Sequence, residues 1–190
     1  MFRHQIRKIK IFTGLIICAV FMVFAPKDVV AQSVKIVIIR HAEKPANGNN
    51  LSCQGFNRSL LLPAAIVAKV GVPNYIYVPS PNHSDEVKRT RMFQTVSPLA
   101  VKYNKSINTA FEVDDAKKLA KAVLAQKGTV LLCWEHHEIQ NIVEALGVKA
   151  KKLKWNDGDY DSMYIITYAK GKAILKLDRE NLQPKTTCSF

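Results

Sequence analysis

The stretch Val34–Lys44, VKIVIIRHAEK, decides how this chain is read. Its run Ile36-Val37-Ile38-Ile39 is apolar and β-branched without alternation, the composition of a strand buried on both faces of a sheet. The run stops at Arg40-His41. A buried strand ending in this way sets a fixed cation beside a titratable nucleophile, at the edge where open α/β sheets bind ligands. An isolated Arg-His pair is equally what a strand reaching water presents, so the rest of the chain must choose between the two.

Upstream, Arg3, Arg7, Lys8 and Lys10 precede the apolar run Ile11–Ala25, IFTGLIICAVFMVFA. That run is short for a bilayer span and suits the core of an export signal, with Val29 and Ala31 ahead of a cut before Gln32. Ile17 occupies the position where lipidation at Cys18 would require a small residue. Residues 1–31 are therefore expected to be a removable signal peptide. Residues 32–190 are expected to form one domain, exported to a periplasmic or extracellular location with no stable membrane anchor after cleavage. The whole chain has a formal net charge of +13; the leader accounts for five of its 28 basic residues and one of its 15 acidic residues, which leaves +9. Such a surplus favours anionic partners without choosing among them. The basic run Lys149, Lys151, Lys152, Lys154 with Trp155 belongs to no binding module and reads as a solvated edge, so no nucleic-acid partner is expected.

Downstream, strand and helix alternate. Ser52 stands as an N-cap for a helix over about 54–69 that contains Pro63, and Tyr75–Val78 reads as the second strand. A helix over about 85–103, a strand over 107–111 and an amphipathic helix capped by Asp114 follow. Thr129–Trp134 is a second fully apolar strand, and it too ends at titratable residues, Glu135-His136-His137-Glu138. A helix over about 138–146 leads to two closing strands, 163–168 and 173–177, joined at Lys170-Gly171 as a hairpin. The fold class implied is α/β, a three-layer sandwich whose mainly parallel central sheet carries helices on both faces and an antiparallel C-terminal hairpin. Asp157, Asp159 and Asp161 have the alternate spacing of a calcium loop, but no glutamate closes it, so a turn is expected. Of the cysteines beyond the leader, Cys133 reads as a core residue. Cys53 and Cys188 are free to pair in an oxidising compartment.

In a parallel sheet the C-terminal ends of both apolar strands lie on one edge, so His41 and His136 can share a pocket. Arg40 accompanies the first, and Arg91 can enter from the helix after the second strand. Two guanidinium groups and two imidazoles make a site for a dianion. His136, directly after its strand, is preferred to His137 for the second position.

The chain here resembles the histidine phosphatase (phosphoglycerate mutase-like) superfamily. The resemblance rests on Arg40-His41 after a hydrophobic strand, Leu51-Ser52 with Gly55 and Arg58, Arg91 four residues ahead of Thr95, and His136 after LLCWE. It implies a metal-independent phosphatase with no cofactor, acting on a small phosphomonoester through a phosphohistidine on His41. Arg40, Arg91 and His136 would hold the phosphoryl oxygens, with Arg58 either joining them or lying on the helix surface. The acid for the leaving oxygen matches the superfamily pattern only loosely. Glu112 leads, Glu135 and Glu138 are the others, and a site without a strong acid is also open. The competing reading is a non-catalytic phospholigand-binding or interaction domain on the same fold.

Overall fold

A computed structural model describes residues 34–81, 89–151 and 153–188. The expected signal peptide therefore lies outside the described residues, as does the start expected for the second helix. Among the described residues no helix is long and apolar enough to cross a membrane.

The elements in order are β1 (Lys35–Arg40), α1 (Cys53–Val70), β2 (Tyr75–Pro79), α2 (Thr90–Lys102), β3 (Ile107–Phe111), α3 (Ala116–Leu124), β4 (Thr129–Trp134), α4 (His136–Ala145), β5 (Ser162–Ala169) and β6 (Lys172–Arg179). They build one six-stranded sheet in the order β3-β2-β4-β1-β5-β6. β1, β2, β3 and β4 run parallel, β5 is antiparallel to β1, and β6 is antiparallel to β5. This is the expected mixed α/β architecture.

The two central strands explain why their sequences do not alternate. Ile36 and Ile38 of β1 and Val130, Leu132 and Trp134 of β4 face a core completed by α3 and α4. Val37 and Ile39 of β1 and Leu131 and Cys133 of β4 face the opposite core with residues of α1 and α2. Because both faces are covered, every position must be apolar. Cys133 is a free, buried core thiol.

Several local expectations shift. α1 runs through Pro63 without a break and is capped by Ser52, whose hydroxyl accepts from Gly55 N–H at 3.1 Å. α3 starts after Asp115 rather than Asp114. α4 starts at His136, two residues earlier than its periodicity indicates, which puts the histidine in the first turn of the helix. The β5–β6 turn holds Lys170 and Gly171 at φ +49° and +74°, the left-handed pair a tight hairpin requires. Cys53 and Cys188 form a disulfide with Cα atoms 4.8 Å apart, fastening the C-terminal segment to the start of α1.

Candidate active site

Parallel pairing in register brings the two apolar strand ends together. Arg40 is the register partner of Trp134, and His41 N–H donates to Trp134 O at 3.2 Å. The chain therefore leaves β1 at His41 beside the point where β4 gives way to α4 at His136.

The loop after β1 is held against α1 by close backbone packing. Ser52 donates to Glu43 O through both its N–H, at 2.9 Å, and its hydroxyl, at 3.2 Å. A Cβ on Gly55 would run into the backbone of Glu43, so only glycine lets the first turn of α1 approach this closely. On the other side Ala42 N–H donates to Thr95 Oγ1 at 2.9 Å, and that hydroxyl donates to Arg91 O at 2.7 Å. Thr95 thus ties the turn of α2 that carries Arg91 to the residue following His41.

These contacts fix the state of His41. It is 2 % exposed, and its Nδ1–H donates to Ala42 O at 2.7 Å. A carbonyl can only accept, so in the neutral ring the free lone pair is on Nε2. Burial pushes the imidazole down to about 4, helped by the positive charges of Arg40 and Arg91 and by His136. The ring is therefore neutral over the physiological pH range.

Arg40 is 2 % exposed. Its Nη1 donates to the carbonyls of Asp157 and Asp159, and its guanidinium stacks 4.0 Å from the centre of the Tyr160 ring. Burial lowers its pKa from the ordinary arginine value, against the raising effect of Tyr160, Asp157, Asp159 and Glu43. Arg91 Nη2 donates to Gly48 O at 2.9 Å. His136 Nε2 lies 3.0 Å from Asp157 Oδ1, and burial together with Arg40 lowers its pKa.

Among the described residues, the buried side-chain N and O atoms without a hydrogen-bond partner are Arg40 Nε, Arg91 Nε and His136 Nδ1. All three belong to residues that converge electrostatically on His41. Arg40 Nε and Arg91 Nε can only donate, so both are open to an anion beside His41; His136 Nδ1 can join them once that ring is protonated or shifts its proton from Nε2.

Arg58 is not directed there. Its Nε and Nη2 contact the Glu43 carboxylate at 2.9–3.0 Å, while Nη1 contacts Glu180 at 2.8 Å and Asp161 at 3.3 Å. The side chain is buried, and Glu43 and Glu180 raise its pKa against the cost of desolvation. Its charge holds Glu43, and hence the loop after His41, to the start of β5 and the end of β6. Arg58 is thus not the helix-surface residue that was one of the two expectations for it; its guanidinium is engaged by Glu43, Asp161 and Glu180. Glu180, the most enclosed of the three acids, is pushed up to about 8 because burial opposes its charge.

Glu112 stands at the C-terminal end of β3, on the same sheet edge, half exposed and paired with Arg89 Nη1 at 3.1 Å. Glu138 accepts from Asn141 at 2.8 Å along α4, and Glu135 is the N-cap residue of that helix without a side-chain cap bond. Sequence reasoning missed the segment Trp155–Tyr160, which lies over Arg40. Because β5 is antiparallel to β1, its entry loop arrives at the same edge as His41. The Asp157-x-Asp159-Tyr160 cluster, read as a turn, was the available signal.

Comparison with solved structures identifies the fold. The chain aligns with a phosphoserine phosphatase from Entamoeba histolytica solved with phosphoserine, at TM-score 0.52 and 14 % identity over 78 % of this chain and 97 % of that one. The same enzyme solved with 3-phosphoglyceric acid aligns at TM-score 0.52 and 15 % identity, over 79 % and 98 %. The fold is that of the histidine phosphatase superfamily. A mycobacterial glucosyl-3-phosphoglycerate phosphatase in complex with inorganic phosphate, also of histidine phosphatase fold, aligns at TM-score 0.51 and 12 % identity over 76 % and 95 %. No protein-family model and no curated protein matches the sequence.

Proposed function

We propose that the chain is a metal-independent phosphatase that hydrolyses a small phosphomonoester through a phosphohistidine on His41. The carrying observation is the set of three unpartnered buried nitrogens on Arg40, Arg91 and His136 around a neutral His41 whose Nε2 is free. In the first step the Nε2 lone pair forms a bond to phosphorus while the bond to the ester oxygen breaks. The two guanidinium groups and His136 hold the oxygens of the transferring group, whose charge is then met by fixed donors rather than by water. A proton from Glu112 goes to the leaving oxygen. In the second step water attacks phosphorus and gives a proton to the Glu112 carboxylate, the N–P bond breaks, and the products are phosphate, the neutral imidazole and the reprotonated acid.

Glu112 is preferred because it lies on the same sheet edge as His41, at the C-terminal end of β3. The phosphatase fold of the solved relatives, which bind phosphoserine, 3-phosphoglyceric acid and phosphate, supports a small phosphorylated substrate. We place the domain, residues 32–190, outside the cytoplasm. The basic, apolar leader and the Cys53–Cys188 disulfide support this, since disulfides persist in oxidising compartments.

The test is phosphate release from para-nitrophenyl phosphate in EDTA. Wild type should turn over and His41→Ala should not. No turnover by wild type across pH and several esters would favour the competing reading, a phospholigand-binding domain without chemistry. Glu112→Gln should slow alkyl phosphates more than the nitrophenyl ester, whose leaving group needs no proton.

A further inference from the structure

Beside the pocket, on the outer side of His136, lies a cleft of about 590 Å³ whose walls include His136, His137, Asp157 and Trp155. The reading of His41 as a nucleophile makes no use of His137. Consecutive residues of a helix point about 100° apart and do not face one another. Yet the His136 and His137 rings stand with centroids 3.8 Å apart at an interplanar angle of 38°. This is possible because both occupy the first two positions of α4, where the chain is still turning in from β4. Asp157 comes from the β5 entry loop to meet them.

One donor atom from each of His136, His137 and Asp157 lies within 4.8 Å of the others. The His136 Nε2–Asp157 Oδ1 separation of 3.0 Å is near the edge of a zinc tetrahedron, which bond lengths of about 2.0–2.2 Å set at roughly 3.3 Å. Asp157 has an 83 % exposed side chain and His137 is exposed, so both are free to close the remaining distance. The His136 side chain is nine-tenths buried and its Nδ1 has no partner, which leaves the ring free to change which nitrogen bears its proton.

We infer that His136, His137 and Asp157 form a binding site for one divalent transition metal of the zinc or cobalt class. Two imidazoles and one carboxylate are the ligand set of open zinc sites, with water completing the tetrahedron. The site selects against Ca2+ and Mg2+, which need more oxygen ligands than this cleft presents. Arg40, which lowers the His136 pKa through space, and Lys151 and Lys154 on the cleft wall oppose a cation. Affinity therefore comes from the nitrogen ligands rather than from net charge. Coordination needs neutral imidazoles.

The test uses Co2+ added to the untagged, full-length protein at pH 7.5, read as visible absorption, with Zn2+, Ca2+ and Mg2+ as competitors. The expected result is one equivalent of Co2+ with the intense bands of a tetrahedral site, displaced by Zn2+ and unaffected by Ca2+ or Mg2+. His137→Ala and Asp157→Asn should each abolish the bands, with unchanged circular dichroism as the fold control. His41→Ala should keep them, which separates this site from the nucleophile whatever the outcome of the phosphatase assay. No bands in wild type, or bands that survive both His137→Ala and Asp157→Asn, would overturn the inference.

Discussion

His41 should remain neutral far below the pH at which an ordinary histidine titrates. Its Nδ1–H is fixed on Ala42 O, it is 2 % exposed, and Arg40 and Arg91 oppose a further positive charge. Depression from 6.5 to about 4 corresponds to about 3 kcal/mol against charging the ring in the folded state. At pH 5.5 a ring with this pKa is about 97 % neutral, whereas an unperturbed one is about 9 % neutral. The folded state thus binds fewer protons than the unfolded chain between about pH 4 and 6.5, so this group's contribution rises with pH across that window. It is lost as the pH falls through about 4. The assay is a 15N–1H imidazole titration from pH 7.5 to 4, with the His41 signals assigned by their absence in His41→Ala. Nitrogen shifts should report a single neutral form, protonated on Nδ1, down to about pH 5. A His41 midpoint between 6 and 7, or the opposite tautomer, would refute the argument that burial and the Ala42 carbonyl set the nucleophile.

Three further outcomes follow from the packing around the loop. Gly55→Ala drives a Cβ into the Glu43 backbone, and should lower thermal stability and kcat together, because the displaced loop carries His41; unchanged kinetics would contradict the clamp. Arg58→Met leaves Glu43, Asp161 and Glu180 facing one another, and removing one partner of a buried ion pair costs about 3–5 kcal/mol, or roughly 10 °C in Tm at this chain length. Glu180, raised from 4.5 to about 8, makes the folded state hold the extra proton, so urea stability should fall as pH rises through that interval. Glu180→Gln should flatten that part of the profile, and an unaltered slope would remove Glu180 as its source.

The sheet was legible because both central strands are covered on two faces, which forces the unbroken apolar runs of β1 and β4. From that single inference the shared strand edge follows, and with it the approach of His41 to His136. The spacing of Arg91 to Thr95 was legible, and the structure supplies its reason in the hydroxyl that joins Arg91 to Ala42. What the sequence could not convey was the part of the site built by long-range meeting. Arg58 resembles a possible anion ligand until Glu43, Asp161 and Glu180 are seen closing on it from three segments. The Asp157–Tyr160 loop has no local pattern that reveals its place over Arg40, because that place is set by the reversed direction of β5. The start of α4 at His136 was likewise hidden, since the first helical turn carries no apolar periodicity.

The central claim is that His41 accepts the phosphoryl group. The most direct measurement is an acid-quenched reaction of wild type with a 32P-labelled phosphomonoester, followed by mapping of the label. The account predicts an acid-labile, base-stable label on the peptide containing His41, bonded at Nε2, absent in His41→Ala and discharged to phosphate on a chase with unlabelled substrate. Turnover without label on His41, or label retained in His41→Ala, would contradict it.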